Sequence, residues 1–394
     1  MTNKALNQLL STITENRGNE YYILKLTELA FNLSKNNMVD SEFKEQLFHI
    51  VENKVNLESK KLYFKWDYFK LLLQMYKKGI GVKKNPQAAF DCLIKMVKAG
   101  NNTAAKEIVF AYKDGNEELN IKPDKEEMIS WCFKVAEYSC PLNLYFLALQ
   151  AVGKKIPLFY DLGITKSLPL AIKCLETLTK YDCERLDLII TTDFEILLGE
   201  QTIPFLEEFS ESALLRDVEK ELWNNNRYTG INSKYYSNYI YNKLLNLLGK
   251  VYIEIKDYQN AINTFKKAMS HNSLTATLNM SNVYHNGLGL IKNEEQAFSL
   301  KKRVIDSVIY GVPKLDWDLL YNEEKNLLEA IISVAEAYSY GIGVQKSLSE
   351  ALKYYSQIKS AFWILNFYDA LQEEIANRAI DDINEILKSE GKTV

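Results

Sequence analysis

Three stretches of the chain share one short pattern, and that pattern limits what the chain can fold into. Tyr76-Lys-Lys-Gly79-Ile-Gly81-Val82, Tyr284-His-Asn-Gly287-Leu-Gly289-Leu290 and Tyr338-Ser-Tyr-Gly341-Ile-Gly343-Val344 align without a gap. Each continues alike, into Asn85-Pro86-Gln87-Ala88-Ala89, Asn293-Glu-Glu-Gln296-Ala297 and Ser347-Leu-Ser-Glu350-Ala351. Upstream, Leu72, Leu73, Met75 and Tyr76, or Ile332, Val334, Ala335 and Tyr338, recur at helical spacing, which predicts a helix with one buried stripe. The first glycine falls where that helix ends and the chain turns through positive φ, which costs glycine least. The second gives a tight connection into an extended residue. Asn85, Asn293 or Ser347 then offers an N-cap oxygen to a second helix, Pro86 takes the first helical position, and Ser347 with Glu350 reads as a capping box. The unit is a helix hairpin, and hairpins repeated along a chain predict a solenoid.

Weaker copies extend the array. One has Tyr112 and Gly115, then Asp124 as cap, Met128 and Trp131-Cys132; Tyr112 to Asp124 spans 12 positions where Tyr76 to Asn85 spans 9, so its turn is three residues longer. Another, within 141–180, holds Gly153, a loop with Pro157, then Ser167, Ala171 and Cys174. The small residues Ala89, Ala297 and Ala351 predict close helix approach, with Cys92-Leu93, Trp131-Cys132 and Tyr354-Tyr355 facing the core. Three of the five cysteines fall at such sites, which favours packing over redox or metal chemistry. No C-x-x-C pair occurs, and His49, His271 and His285 lie far from the cysteines, so neither a zinc site nor a disulfide framework is indicated.

These residues resemble the Sel-one-like repeat family, a relative of the tetratricopeptide repeat with the pattern A-x-x-x-L-G-x-x-Y-x-x-G-x-G-V-x-x-D-x-x-K-A-x-x-W-Y-x-K-A-A. Tyr76 to Gly100 and Tyr338 to Tyr355 match best. Asn or Ser replaces the usual aspartate, Cys92, Leu300 or Tyr354 the tryptophan, and Ala88, Gln296 or Glu350 the lysine. A further segment resembles an ordinary tetratricopeptide repeat through Leu245, Leu248, Gly249, Tyr252, Ala261, Phe265 and Ala268. The resemblance implies an all-α, right-handed solenoid of antiparallel helix pairs. The spacings from Tyr252 to Tyr284 (32 residues) and Tyr76 to Tyr112 (36) suit it, whereas Tyr284 to Tyr338 (54) implies an insertion within 306–325, around Val312 to Asp316.

The expected organisation is an N-terminal helical cap over 1–60, repeats over 61–180, a non-repeat helical segment over 181–240, a tetratricopeptide-type repeat over 241–275, repeats with an insertion over 276–360 and a C-terminal cap over 361–394. Terminal repeats are expected to be atypical because their outer faces meet water. Asn, Gly and Ser cluster near Asn224 to Ser233, where the solenoid can divide into two arms.

No residue nominates itself as catalytic, and no cofactor is implied. Gly79-Ile-Gly81 and Gly341-Ile-Gly343 do not continue as phosphate loops, and neighbouring carboxylates such as Asp381-Asp382 and Glu207-Glu208 read as solvated faces. Lysine and arginine number 48 against 51 acidic residues, a net charge of −3, so no global field attracts nucleic acid. The N-terminus lacks a signal pattern and no run of about 18 apolar residues occurs, which points to a cytoplasmic chain without membrane insertion. A solenoid's extended surface suits a protein partner. The candidate contacts are Trp223, Arg227, Tyr228, Tyr235, Tyr236 and Tyr239, where tyrosines are densest; packing is the competing reading for each. The resemblance implies an adaptor or inhibitor acting on a toxin, effector or signalling component, including an immunity protein, or else a regulatory or assembly scaffold for signalling or secretion. A cryptic enzyme site in 181–240 is the alternative from another class.

Overall fold

The computed structural model of the chain describes residues 3–15, 19–56, 65–154, 156, 158–183, 186, 239–309, 324–365 and 369–389. Among these, every regular element is helical: α1 (Asn3–Thr14), α2 (Glu20–Lys35), α3 (Ser41–Asn56), α4 (Lys65–Lys78), α5 (Pro86–Lys98), α6 (Asn102–Asp114), α7 (Lys125–Glu137), α8 (Leu142–Val152), α9 (Leu168–Leu178), α10 (Tyr239–Glu254), α11 (Tyr258–Ser270), α12 (Leu274–Asn286), α13 (Glu294–Ile309), α14 (Glu324–Tyr340), α15 (Leu348–Leu365) and α16 (Ala370–Ser389), with a 3₁₀ turn at Leu158–Tyr160. Two compact units form, residues 1–147 with 158–164 and residues 148–157 with 165–394. In each, helices pack mainly on their neighbours in sequence, so the fold is an α-solenoid of helix pairs. Of the span 306–325 expected to carry an insertion, residues 310–323, with Val312 to Asp316, lie outside the described residues.

The turn inside each pair is closed by one recurring hydrogen bond. The cap residue's backbone N–H donates to the carbonyl of the repeat tyrosine: Asn85 to Tyr76 (3.0 Å), Asp124 to Tyr112 (2.7 Å), Asn293 to Tyr284 (3.0 Å) and Ser347 to Tyr338 (2.8 Å). The bond persists with Asp257 to Tyr252 (2.9 Å), and with Ser167 to Ala151 (2.8 Å) in the copy that lacks the tyrosine. Cap side chains accept as expected, at Asn85, Asp124, Asn293 and Ser347. The longer turn after Tyr112 is stabilised by paired backbone bonds between Asn116 and Ile121. Its extra residues therefore change the loop and leave the closing bond intact.

The two glycines of the pattern do different work. Both have positive φ, but a methyl group on Gly79, Gly287 or Gly341 would meet only its own turn, at 3.3–3.5 Å. On Gly81 it would lie 2.0 Å from the Lys44 carbonyl oxygen of α3, on Gly343 2.3 Å from that of Glu294 in α13, and on Gly289 2.5 Å from Tyr258 Cβ in α11. The second glycine is thus the point where a repeat lies against the preceding one, on its backbone at Gly81 and Gly343 and on a side chain at Gly289. Aromatic side chains secure the same joint: Phe48 meets Tyr76 edge-on (5.4 Å, 76°), Phe90 meets Tyr112 (6.4 Å, 81°) and Phe298 meets Tyr338 (5.1 Å, 90°). Each phenylalanine belongs to the second helix of one repeat and each tyrosine to the first helix of the next. Within a repeat, Tyr112 stacks on Trp131 and Tyr338 on Tyr354. Ala89, Ala297, Ala351 and Ala261 are buried, as close approach requires. Trp131 remains half-buried, its ring covered by Lys134 at 4.6 Å. In α2 Leu24 and Ala30 are buried, whereas Tyr22 and Leu29 are exposed.

Replacing Gly79 by Ala should cost about 1–2 kcal/mol, the penalty of a Cβ in the left-handed region. Gly81→Ala and Gly343→Ala should each cost about 3 kcal/mol or more, because overpacking against a rigid backbone adds to that penalty. Denaturant unfolding followed by far-ultraviolet circular dichroism measures the difference, and equal costs would contradict the joint.

Candidate protein-binding surface

The first helices α10 and α14 are buried almost all round. Between Ile240 and Tyr252 of α10 the residues that are not buried are Lys243, Leu247 and Lys250; between Leu327 and Ser339 of α14 they are Glu329, Ser333 and Glu336. These stand nine, five and two residues before the repeat tyrosine, and Glu254 and Tyr340 continue the stripe two residues after it. In α12 the same places hold Thr275, which is buried, then Asn279, Asn282 and Asn286, which are not. In the first unit they hold Asp67, Leu71, Gln74 and Lys78 on α4, and Thr103, Glu107, Phe110 and Asp114 on α6. Equivalent positions of stacked repeats share a face, so each unit presents one open surface built from these places.

In the second unit that surface contains a cavity of about 270 Å³ between α10 and α12, lined by Lys250, Ile253, Glu254, Phe265, Asn279, Asn282, Val283 and Leu288. Phe265 reaches it from α11 because Gly249 leaves room for the ring; a methyl there would lie 2.3 Å from Phe265 Cε1. The spacing of the two helices is set by amides: Asn246 Nδ2 donates to the Ser273 hydroxyl (3.0 Å), and Asn242 Nδ2 to the His271 carbonyl (3.2 Å). On the rim, Glu254 pairs with Lys166 at 2.6 Å. Asn279 keeps its Nδ2 buried without a hydrogen-bond acceptor. Such an orphan donor costs about 1–3 kcal/mol, and an acceptor brought by a partner would remove that cost.

The first unit's face is engaged with itself. Lys77, only 5% exposed, is ion-paired with Glu107, a residue of the open stripe, and lies 3.8 Å from Glu118. The Phe110 ring is covered by Lys106 at 5.5 Å and Lys113 at 5.1 Å. Burial beside these rings pulls the Lys106 ammonium below its ordinary pKa.

The Sel1 repeat family matches residues 74–101, 275–300 and 328–359. The chain carries Sel1 repeats. Each matched segment contains one or both of the glycine turns and helix stripes described above, and repeats of this family are in general protein–protein interaction scaffolds. Among curated proteins, none matches the chain. Among solved structures, a protective antigen of uropathogenic Escherichia coli strains displaying an SLR fold aligns at 16% identity and a TM-score of 0.27, over 97% of this chain and 84% of that one. A Sel1 repeat protein from Oxalobacter formigenes aligns at 14% identity and a TM-score of 0.29, over 94% and 93%.

The Sel1 pattern located the scaffold, and the binding face had to come from the structure. Trp223, Arg227, Tyr228, Tyr235 and Tyr236, with the whole of 187–238, lie outside the described residues. Tyr239 is the first residue of α10. The adjacent Tyr241 packs inward, edge-on to His271, with its hydroxyl donating to the Thr179 carbonyl (3.4 Å). The repeat tyrosines are likewise structural, Tyr76 bonding to Glu52 (3.2 Å) and Tyr252 to Glu176 (2.5 Å). The open stripe was legible in principle, by counting back from each repeat tyrosine. Among the described residues no group of His, Cys, Asp and Glu could hold a metal ion, and no helix is long and apolar enough to cross a membrane.

Four of the five cysteines sit in the core. Cys92, Cys132, Cys140 and Cys174 are buried and Cys183 is half-buried, all as free thiols. Burial pushes the Cys92 and Cys174 thiols up to about 12, so both stay neutral and unreactive near neutral pH. Alkylation of the native protein at pH 8 should therefore modify Cys183 first and the other four only on unfolding; rapid labelling of several thiols would contradict the packing. Gly249→Ala separates the local effect from the tertiary one. Helix propensity alone would stabilise by about 1 kcal/mol, but the Phe265 ring should turn this into a loss of about 1–3 kcal/mol, partly recovered by adding Phe265→Leu.

Proposed function

We propose that the chain is a protein-binding adaptor or inhibitor with no reaction of its own, and that it takes its partner on the first-helix face of the second unit. One observation carries this reading. Helices α10 and α14 expose little besides one stripe each, and the stripe of α10 borders a cavity whose α12 lining holds an amide donor, Asn279 Nδ2, that has no acceptor. A cavity of about 270 Å³ is smaller than the roughly 300–1,000 Å³ of small-molecule sites and suits one anchoring side chain. The partner is a toxin, an effector or a signalling component. As an inhibitor the chain would act as an immunity protein on a toxin, and as an adaptor it would serve a signalling or secretion assembly. Five free thiols suit a reducing, cytoplasmic setting.

The test is affinity capture from the native cell with the parent chain and two variants. Asn282→Arg places a long cation over the cavity, and Thr103→Arg makes the same change on the first unit's face. The parent and Thr103→Arg should recover one stoichiometric protein that Asn282→Arg loses, with circular dichroism and melting temperature unchanged in all three. Recovery of no partner would end the binding reading, and capture by Asn282→Arg at the parent level would move the site elsewhere.

A further inference from the structure

The turns that join the two helices of each repeat form a row along one edge of the second unit. Gly289, in the turn between α12 and α13, lies against Tyr258 at the start of α11, and Gly343, in the turn between α14 and α15, lies against the Glu294 carbonyl at the start of α13. Each turn therefore rests beside the one before it. Ile255, Ile291 and Ile342 stand in these three turns and Tyr340 borders the last, all four exposed; Ile291, at 91%, is the most exposed large apolar residue among the described residues. None of the four lines the cavity. The first unit keeps its counterparts inside. Ile80, which matches Ile342 in the glycine pattern, is 7% exposed where Ile342 is 45%, and Leu119 of the next turn is buried. In the second unit the turn between α11 and α12, His271-Asn272-Ser273, holds no apolar residue. A single exposed isoleucine needs no explanation, but a row of them along one edge does.

The charges on this edge have one sign to spare. Within the three turns the charged residues are Lys256, Lys292 and Lys346 against Asp257. Asp257 is occupied as the cap of α11, accepting from the Asn260 backbone (3.3 Å) and side-chain amide (2.7 Å). Beside the turns Glu254 is paired with Lys166 (2.6 Å), and Glu294 with both Lys292 (2.9 Å) and His285 (2.8 Å). Lys256 and Lys346 are exposed and make no ion pair among the described residues, and Glu295 is the acid left to set against them.

We infer that this edge docks on the surface of an anionic lipid bilayer, seating its isoleucines among the acyl chains and its free lysines against the headgroups, without spanning the membrane. Separate aliphatic tips offer projection and no recess, so a protein partner would have to supply a matching pocket for each, whereas acyl chains fill in around them. A tyrosine beside such tips has the mixed character of the headgroup level, and lysines next to them add attraction to a negatively charged leaflet. No described helix is long and apolar enough to cross a membrane, so the contact is shallow and reversible. It uses a different surface from the binding face proposed above, and either can fail alone.

The test is co-sedimentation of the full chain with vesicles of phosphatidylcholine and phosphatidylserine in equal parts, and with vesicles of phosphatidylcholine alone. The parent should pellet with the first kind, less with the second, and less as salt rises. Ile291→Ser should weaken binding about tenfold, the effect of withdrawing one aliphatic side chain from lipid, and Lys256→Glu/Lys346→Glu should weaken it about tenfold or more. Lys35→Glu/Lys388→Glu, which changes the net charge equally on α2 and α16, should stay near the parent, as should Asn282→Arg. Circular dichroism checks that each variant folds, and Ile255→Ser gives the same readout should Ile291→Ser not fold. No pelleting with either vesicle would overturn the inference. So would pelleting that the isoleucine variants leave unchanged, since a contact of charge alone does not seat those side chains. Without vesicle binding, a concentration-dependent dimer abolished by Ile291→Ser would give the edge to a second copy of the chain, and loss of partner capture by Ile291→Ser would give it to the protein partner.

Discussion

Three repeats meet the one before them where a glycine lies directly on a neighbouring helix. At Gly81 and Gly343 the space for a methyl group is taken by a carbonyl oxygen of the preceding second helix, and at Gly289 by the Cβ of Tyr258. Because backbone cannot yield as a flexible side chain does, this approach fixes both the distance and the angle between repeats. The aromatic contacts of Phe48, Phe90 and Phe298 with the following repeat's tyrosine fill the same joint, and their edge-on geometry adds direction to what would otherwise be plain apolar burial.

The open surface follows from that joint. A first helix held this close to its own partner and to the preceding repeat has its flanks covered, so one residue in three or four along it can meet another molecule. In the second unit those residues include three asparagines on one helix flanked by lysines on one side and glutamates on the other, with Phe265 forming an apolar floor because Gly249 has no side chain. In the first unit the equivalent places are taken up by the Lys77–Glu107 ion pair and by lysines lying over Phe110. In the second unit the Nδ2 of Asn279 stays buried without an acceptor.

Much of the scaffold could be read from local chemistry. Capping by Asn85, Asp124, Asn293 and Ser347, the turns at the glycines and the burial of Cys92, Cys132 and Cys174 depend on residues a few positions apart. The enlarged turn after Tyr112 was visible by counting, and the closing bond from Asp124 confirms its length. Trp131 shows where such reading falls short: its position marks it as core, yet it stays half-buried because it stacks on Tyr112 at the edge of the helix pair. The abundance of tyrosine was equally ambiguous, since a residue with a large ring and a polar tip serves packing and recognition alike. Tyr76, Tyr112, Tyr252 and Tyr338 prove to be packing residues, which shifts attention from tyrosine to the asparagines and charges on the open stripe.

The sequence by itself determined the helix hairpin: its turn, its caps and its buried stripe are all set within about twenty consecutive residues, where propensity and hydrogen bonding act without help from distant parts of the chain. Tertiary structure alone decided which of the two glycines joins repeats, why Gly249 must lack a side chain, and which residues remain open once both flanks of a helix are covered. Those outcomes depend on the positions of atoms 16 to 49 residues away in the chain, such as Phe265 for Gly249 and Glu294 for Gly343. No local pattern encodes that a neighbour will arrive there, because the neighbour's position is fixed only when the repeats stack.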